Sequence, residues 1–320
     1  MIQSELSCAQ VVKEIGADNV SGASELSRKA ASSFVLFASE SSADSGQEYF
    51  RGLSELGAKL ILAQPHMASI FNVVNSILYS VEQSLPALSG GELADFTREK
   101  AEEFIANSLN AVQLIAENGG RLIADGSKVM TFSASGSILA ILKKAKEMGR
   151  SFEAVVAESR PMFEGRLLAR FLGNARIPVT LVADAAMGAF ARDADVFLVG
   201  ADSISESSFV NKVGTFYLCL LSREHHVPLY VACERSKFIS GKWRPSPHAG
   251  GDPGEILDSE LLNVKAENPY FEEIPLSFCR QVITNEGFFS PSDVPRYIRK
   301  TRLCRHLMER IEDLRRSAPP

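Results

Sequence analysis

The sequence has no uninterrupted apolar run of the length that a membrane-spanning helix requires, roughly 18–20 residues. Its apolar stretches, such as Val196–Val199, are only as long as a strand. The residues after Met1 also lack the basic and apolar segments of a secretory signal peptide. These two absences predict a cytoplasmic protein that does not interact with membranes.

Cysteine is scarce, and the common nucleotide-binding motifs are missing. The five cysteines are far apart and form no C-x-x-C pair, which argues against a disulfide framework and against a zinc site. Neither G-x-x-x-x-G-K-[ST] nor G-x-G-x-x-G occurs, which argues against nucleoside triphosphate hydrolysis and dinucleotide binding. We therefore expect no metal and no cofactor.

Positive charge is in deficit, with 34 basic against 39 acidic side chains and a net charge of −5. This balance argues against a nucleic-acid-binding protein, which usually has a basic surface. The segment 296–316 is an exception because it carries eight Arg or Lys residues. It is either a solvated helical face or a tail that binds an anion or a protein partner.

The first part of the chain has the hydrophobic pattern of helices. Apolar residues recur every three or four positions in segments 47–62, 69–84 and 92–117, which is typical of amphipathic helices. A break follows at Asn118-Gly119-Gly120. The pattern predicts a helical N-terminal domain over residues 1–120.

Residues 121–320 have a different pattern, in which short β-branched runs alternate with helical segments. Such alternation predicts βαβ units, and therefore an α/β domain with a Rossmann-like, doubly wound parallel sheet. In this fold, ligands bind at the carboxyl ends of the strands. The predicted strands are 128–133, 153–158, 178–183, 195–200 and 228–233, and the predicted helices are 137–148, 164–173, 186–192 and 212–225.

Small polar residues follow the first predicted strand. Ser133, Ser135 and Gly136 precede a helix, where free backbone N–H groups and the helix dipole favour a phosphate. The same residues also suit a plain turn in which serine caps the helix. Both interpretations remain open from the spacing alone.

Charged residues follow the second and third strands. Arg160 is placed either to bind a phosphate through two N–H groups or to form a salt bridge with Glu158 or Glu164. Asp184, after the third strand, is expected to cap the following helix in preference to a catalytic role.

The fourth and fifth strands add further candidates. Asp202 follows Gly200 and Ala201 and suits either a general acid or base or a turn cap. Asn211 and Lys212 are expected to open a helix and to bind an anionic or polyhydroxyl ligand, and Lys237 adds a second cation. Together, these residues predict a site for a phosphorylated, polar small molecule.

These segments resemble one protein family. It comprises the alpha, beta and delta regulatory subunits of eukaryotic translation initiation factor 2B and the related aldose–ketose isomerases of methylthioribose 1-phosphate and ribose 1,5-bisphosphate. The matching segments are Glu158-Ser159-Arg160-Pro161, Asp184-Ala185-Ala186-Met187-Gly188, Val199-Gly200-Ala201-Asp202, Asn211-Lys212-Val213-Gly214-Thr215, Ser236-Lys237-Phe238 and Asn268-Pro269-Tyr270-Phe271.

The resemblance implies a helical N-terminal domain, a Rossmann-like C-terminal domain and a homodimer or higher homo-oligomer formed through the latter. It implies that the substrate-binding residues are Gly22, Ala23, Ser135, Gly136, Arg160, Asn211, Lys212 and Lys237. It also implies an acid–base pair of a cysteine and an aspartate. Asp202 is the aspartate, but the cysteine position holds Ser133.

A serine hydroxyl does not shuttle protons at neutral pH without an adjacent base, so this departure bears on catalysis. Two arginine motifs of the isomerases are also replaced, by Ser21-Gly22-Ala23 and Gln64-Pro65-His66. The losses favour a regulatory-subunit-like protein that binds a sugar phosphate or nucleotide monophosphate without catalysis and acts through dimerisation or a partner. The alternatives are an active aldose–ketose isomerase, using Asp202 with Ser133 or a water, and a purely structural assembly subunit.

Overall fold

A computed structural model describes residues 7–18, 21–239, 243, 250–259 and 261–317. The chain folds as two compact units. The first contains Met1–Leu109 together with Lys300–Pro320, and the second contains Asn110–Arg299.

The first unit is helical. Its helices are α1 (Cys8–Ala17), α2 (Ala23–Glu40), α3 (Gly46–Ala63), α4 (Ala68–Ser84) and the first part of α5 (Gly90–Gly120). The apolar faces of α3 and α4 pack together so closely that a Cβ added to Gly57 would lie 2.7 Å from Val74 Cγ1. Leu53, Leu60 and Phe71 are buried in this core, as their helical spacing predicts.

The second unit is built on a mostly parallel sheet. Its described strands are β1 (Lys128–Phe132), β2 (Glu153–Ala157), β3 (Val179–Val182), β4 (Val196–Val199), β5 (Ser203–Ile204), β6 (Ser208–Lys212), β7 (Leu229–Ala232), β8 (Phe271–Pro275), β9 (Gln281–Thr284) and β10 (Gly287–Phe289). Seven of them form one sheet in the order β10-β9-β7-β4-β1-β2-β3, with only the β10–β9 pair antiparallel. The α/β prediction is thereby confirmed, and the five predicted strands agree with the observed ones within one residue at each end.

Helices cover both faces of this sheet. They are α6 (Gly136–Glu147), α7 (Glu164–Asn174), α8 (Met187–Ala191), α9 (Thr215–His225) and α10 (Val294–Ile298). Side chains of α6 and α7 pack with Val129 and Leu198 on one face, and side chains of α8, α9 and α10 pack with Phe132 and Phe197 on the other. Strands covered on both faces are apolar at most positions, which explains why their apolar residues do not alternate with polar ones.

A second, antiparallel sheet pairs β5, β6 and β8 and was not expected from the sequence. The expectation that Asn211 and Lys212 open a helix was wrong, because both residues lie in β6. The helix begins only at Thr215, after Gly214 with φ 103°. The partner strand β8 comes from a distant part of the chain, so no local pattern indicates that 208–212 is a strand.

The last described helix, α11 (Arg305–Ser317), belongs to the helical unit. Its Leu307 and Ile311 are buried, and the approach to it is held by Asn75. The Asn75 side chain donates to the Arg302 carbonyl at 2.8 Å and accepts from the Cys304 N–H at 2.9 Å. The observed division therefore differs from the expected boundary at residue 120 and the expected extension of the second domain to 320. None of the described helices combines the length and the apolar composition needed to cross a membrane.

Candidate functional site

The strand order reverses between β1 and β4, which are adjacent and parallel. The helix after β1, α6, lies on one face of the sheet, and α9, which connects β4 towards β7, lies on the other. The two connections diverge at the carboxyl ends of β1 and β4 and leave a crevice there, the usual ligand position in doubly wound sheets.

Residues at the ends of these two strands meet in that crevice. A Cβ added to Gly200 would lie 2.8 Å from Ser135 Oγ and 3.8 Å from Asn211 Oδ1. Gly200 therefore allows the β1 end, the β4 end and β6 to approach one another. The lack of a side chain at this position leaves room for Ser135 and Asn211 on either side of it.

The turn after β1 presents backbone N–H groups rather than a capped helix end. Ser133 has φ 62°, and its N–H donates to Ser159 Oγ at 2.7 Å. Ser135 is the N-cap residue of α6, but its side chain makes no capping hydrogen bond. The first N–H groups of α6, beginning at Gly136, thus lack the serine cap that a plain turn would supply.

No hydrogen bond links the Ser133 hydroxyl to a carboxylate or a histidine within the part of the chain that the structure describes. The thiol of Cys233, at the end of β7, does not replace the missing thiol. Burial raises the pKa of Cys233 to about 12, so its sulfur stays protonated at neutral pH.

Asp202 is half-buried and follows β4 directly. Its N–H donates to the Val210 carbonyl at 2.8 Å, which ties the β4 end to β6. Burial raises the pKa of the Asp202 carboxyl, the charges of Lys237 and Lys212 oppose that rise, and Glu164 adds to it. The net direction is upward, so this carboxyl holds its proton at a higher pH than an exposed aspartate does.

Two buried lysines face this carboxyl. Lys212 Nζ lies 2.7 Å from Glu164 Oε1 and 4.8 Å from the centre of the Tyr270 ring. Lys237 Nζ donates to the Ala201 carbonyl at 2.7 Å. Asn211 is also buried, and its side-chain amide donates to Thr215 Oγ1 at 2.9 Å.

Arg160 is exposed beside the crevice. Its guanidinium donates to the Glu255 carbonyl at 3.2 Å and lies over the Phe163 ring, with 5.2 Å from Cζ to the ring centre. Neither expected salt bridge is seen in the described structure, because Glu158 pairs with Arg166 at 2.6 Å and Glu164 pairs with Lys212.

Asp184 does not cap the helix that follows it, so that expectation was wrong. Its carboxylate accepts hydrogen bonds from the N–H groups of Ser159 and Arg160, both at 2.7 Å. Asp184 therefore holds the turn after β2 in position beside the crevice.

Sequence reasoning missed two groups near the lysines. Glu164 was considered only as a partner of Arg160, and Tyr270 only as part of a matching segment. The Tyr270 hydroxyl bonds both carboxylate oxygens of Glu255, at 2.6 and 2.5 Å, and a Cβ added to Gly251 would overlap its ring. No local pattern indicates these partners, because segments that are far apart in the sequence supply them.

The two remaining predicted residues lie in the helical unit. Gly22 is the N-cap residue of α2, and Ala23 is the first residue of that helix. Within the described residues, no group of His, Cys, Asp and Glu side chains is arranged to hold a metal ion.

Comparison with known proteins places this geometry in context. The sequence profile of the initiation factor 2 subunit family matches residues 19–291. A translation initiation factor eIF-2B subunit 2-like protein of Pyrococcus furiosus is 32% identical over 288 residues, covering 88% of this chain and 96% of the relative. A ribose 1,5-bisphosphate isomerase of Methanocaldococcus jannaschii is 30% identical over 277 residues, covering 85% and 88%.

Solved structures show the same fold. The translation initiation factor eIF-2B of Pyrococcus horikoshii superposes with a TM-score of 0.74 at 30% identity, covering 91% of this chain and 98% of that one. A 5-methylthioribose 1-phosphate isomerase of the same organism superposes with a TM-score of 0.73 at 21% identity, covering 96% and 88%, and shares the fold alone.

Proposed function

The chain belongs to the initiation factor 2 subunit family, and on that premise we propose that it binds a sugar phosphate or a nucleoside monophosphate without converting it. The observation that supports this most directly is the set of groups at the crevice between β1 and β4. Buried Lys212 and Lys237 face Asp202 there, beside the uncapped start of α6. Cations, a carboxylate and free N–H groups in one crevice suit a ligand that carries both hydroxyls and a phosphate.

The absence of conversion is argued from Ser133. An aldose–ketose shift needs a proton donor or acceptor at each of two neighbouring carbons. Asp202 can serve one of them, but the Ser133 hydroxyl has no described base to activate it. The protein then acts as a ligand-responsive, regulatory-subunit-like member of its family.

Phosphorus and proton NMR tests this proposal directly. Purified protein is mixed with ribose 5-phosphate, ribose 1,5-bisphosphate, methylthioribose 1-phosphate and adenosine monophosphate in turn. We expect at least one phosphate signal to broaden, with no ketose product forming. A bound ligand at about 100-fold excess over Kd should also raise the unfolding free energy by ~2.7 kcal/mol. If no compound broadens or stabilises, the binding proposal fails.

The second candidate function is an active isomerase, and the raised pKa of Asp202 favours it. A carboxyl that titrates closer to neutral pH is a better general acid or base. This candidate predicts a ketose phosphate in the NMR time course. It also predicts that Asp202→Asn abolishes turnover while ligand binding persists.

We also propose that the chain forms a homo-oligomer through its second unit. Phe216, Tyr217 and Leu220 of α9 are exposed apolar side chains on one helix. Light scattering after gel filtration is expected to give at least twice the monomer mass, and Leu220→Lys is expected to lower it. A monomer at micromolar concentration would contradict the proposal.

A further inference from the structure

The two lysines of the crevice are not equivalent. Among the described residues, Lys237 Nζ donates to a neutral carbonyl, that of Ala201. Lys212, whose side chain is 5% exposed, lies 2.7 Å from the Glu164 carboxylate. The charge of Lys212 is therefore matched by a carboxylate at ion-pair distance before any ligand arrives, whereas Lys237 faces the Asp202 carboxyl and has no carboxylate at ion-pair distance among the described residues.

The backbone of Glu164 is closely packed at the start of α7. It is the first residue of α7, where the helix dipole favours the ionised carboxylate. The next residue, Gly165, is pressed so closely against the end of β2 that an added Cβ would lie 1.8 Å from the Ala157 carbonyl oxygen. The second carboxylate oxygen, Oε2, is buried and has no hydrogen-bond partner among the described residues. The backbone of Glu164 is therefore fixed by the packing of α7 on β2, and its carboxylate is held by the ion pair with Lys212.

The remaining cation of the crevice is differently placed. Arg160 has no carboxylate partner within the described structure and lies on the turn after β2, next to the β1 turn. A phosphate at the start of α6 would lie beside the turn that carries Arg160, because the Ser133 N–H of the β1 turn donates to Ser159 Oγ. A second phosphate beside Lys212 would contact a lysine whose charge is already matched by Glu164. The Glu164 carboxylate would also lie close to that phosphate.

We propose that Glu164 determines the ligand class of this site, so that the crevice takes a pentose or nucleoside monophosphate in preference to a bisphosphate. The inference rests on the proposed ligand-binding function. A phosphate monoester carries about −1.5 to −2 charges at neutral pH, and like charges at close range are strongly unfavourable where water is excluded. Glu164 thereby acts against a ligand that carries phosphates at both ends.

Isothermal titration calorimetry of the full chain tests this inference at one fixed salt concentration. The probes are ribose 1-phosphate, ribose 5-phosphate and ribose 1,5-bisphosphate, and the readout is the Kd of the bisphosphate divided by the lower monophosphate Kd. We expect this ratio to exceed 1 for the unmodified protein. In Glu164→Gln it should fall by at least about tenfold, because the charge of Lys212 becomes available to the second phosphate.

Glu158→Gln is the matched control. It removes a carboxylate from the same turn, but one that pairs with Arg166 rather than with a lysine of the crevice. Its ratio should stay within about twofold of the unmodified protein, since an exposed ion pair has little effect at a distance. Equal changes in both variants would show a general charge effect and would refute the assignment to Glu164.

The unmodified protein alone also decides the inference, even if Glu164→Gln does not fold. Tighter binding of the bisphosphate than of either monophosphate would overturn the inference while leaving the proposed binding function intact. If none of the three probes binds, and the other phosphates tested by NMR show no line broadening, the proposed binding function is refuted. The inference about Glu164 is then refuted with it.

Discussion

Replacement of Gly165 by alanine should disrupt the junction that holds the site. The added Cβ would lie 1.8 Å from the Ala157 carbonyl oxygen, 2.9 Å from the Ala157 carbonyl carbon and 3.0 Å from the Glu158 carbonyl carbon. All three are backbone atoms of the β2 end and cannot rotate away. The start of α7 must therefore separate from the sheet.

The size of the effect follows from this geometry. The Cβ and the oxygen must separate by at least about 1.2 Å to reach 3.0 Å, below which Cβ contacts are essentially never found. Overpacking of this kind costs about 1–3 kcal/mol. The hydrogen bond from the Gly165 N–H to the Glu158 carbonyl, now 3.2 Å long, is lost as well, at about 1 kcal/mol. We expect Gly165→Ala to lower the free energy of unfolding by about 3 kcal/mol in total.

Gly173→Ala is the control, because it lies in the same helix and an added Cβ there meets no atom within 4 Å. It should raise stability by up to about 1 kcal/mol through better helix propensity. Urea unfolding followed by circular dichroism measures both variants, with m-values compared to detect separate unfolding of the two units. If both variants lie within 1 kcal/mol of the unmodified protein, the close approach of α7 to β2 is refuted.

Three further predictions follow from other residues. Because the pKa of Asp202 is raised in the fold, the ionised carboxylate costs stability at neutral pH. Asp202→Asn should therefore unfold at higher urea concentration at pH 7, and the gain should vanish below the ordinary carboxyl pKa of 3.8; a gain that grows on acidification would contradict this sign. Asn75→Ala should cost about 2–3 kcal/mol by leaving two backbone groups before α11 unpaired, whereas exposed Ser76→Ala should cost almost nothing; equal urea midpoints would disprove the tether. Gly200→Ala should displace Ser135 and weaken ligand binding in calorimetry by at least about tenfold, and unchanged affinity would place the ligand elsewhere.

Much of the second unit could be predicted from local pattern. The strands from β1 to β4 and β7 are short, apolar runs flanked by helices, and each observed bound lies within one residue of the predicted one. Burial on both faces of β1, β2, β4 and β7 leaves little freedom in composition, so the pattern in sequence is strong. The segment 208–212 had no such signal, because a strand paired with distant β8 depends on a partner that local sequence does not reveal.

The candidate site shows the same division. The sequence determined which residues follow each strand. It also determined that parallel strands bring those residues to one edge of the sheet, so the positions of Ser135 and Asp202 at that edge follow from the strand pattern alone. Which charges meet at that edge was decided by the tertiary structure. Lys212 forms an ion pair with Glu164 in the absence of a ligand. Arg160 donates a hydrogen bond to the Glu255 carbonyl and forms no salt bridge with Glu158. Ion pairs depend on distances of a few ångströms between separate loops, and spacing along one chain does not encode those distances.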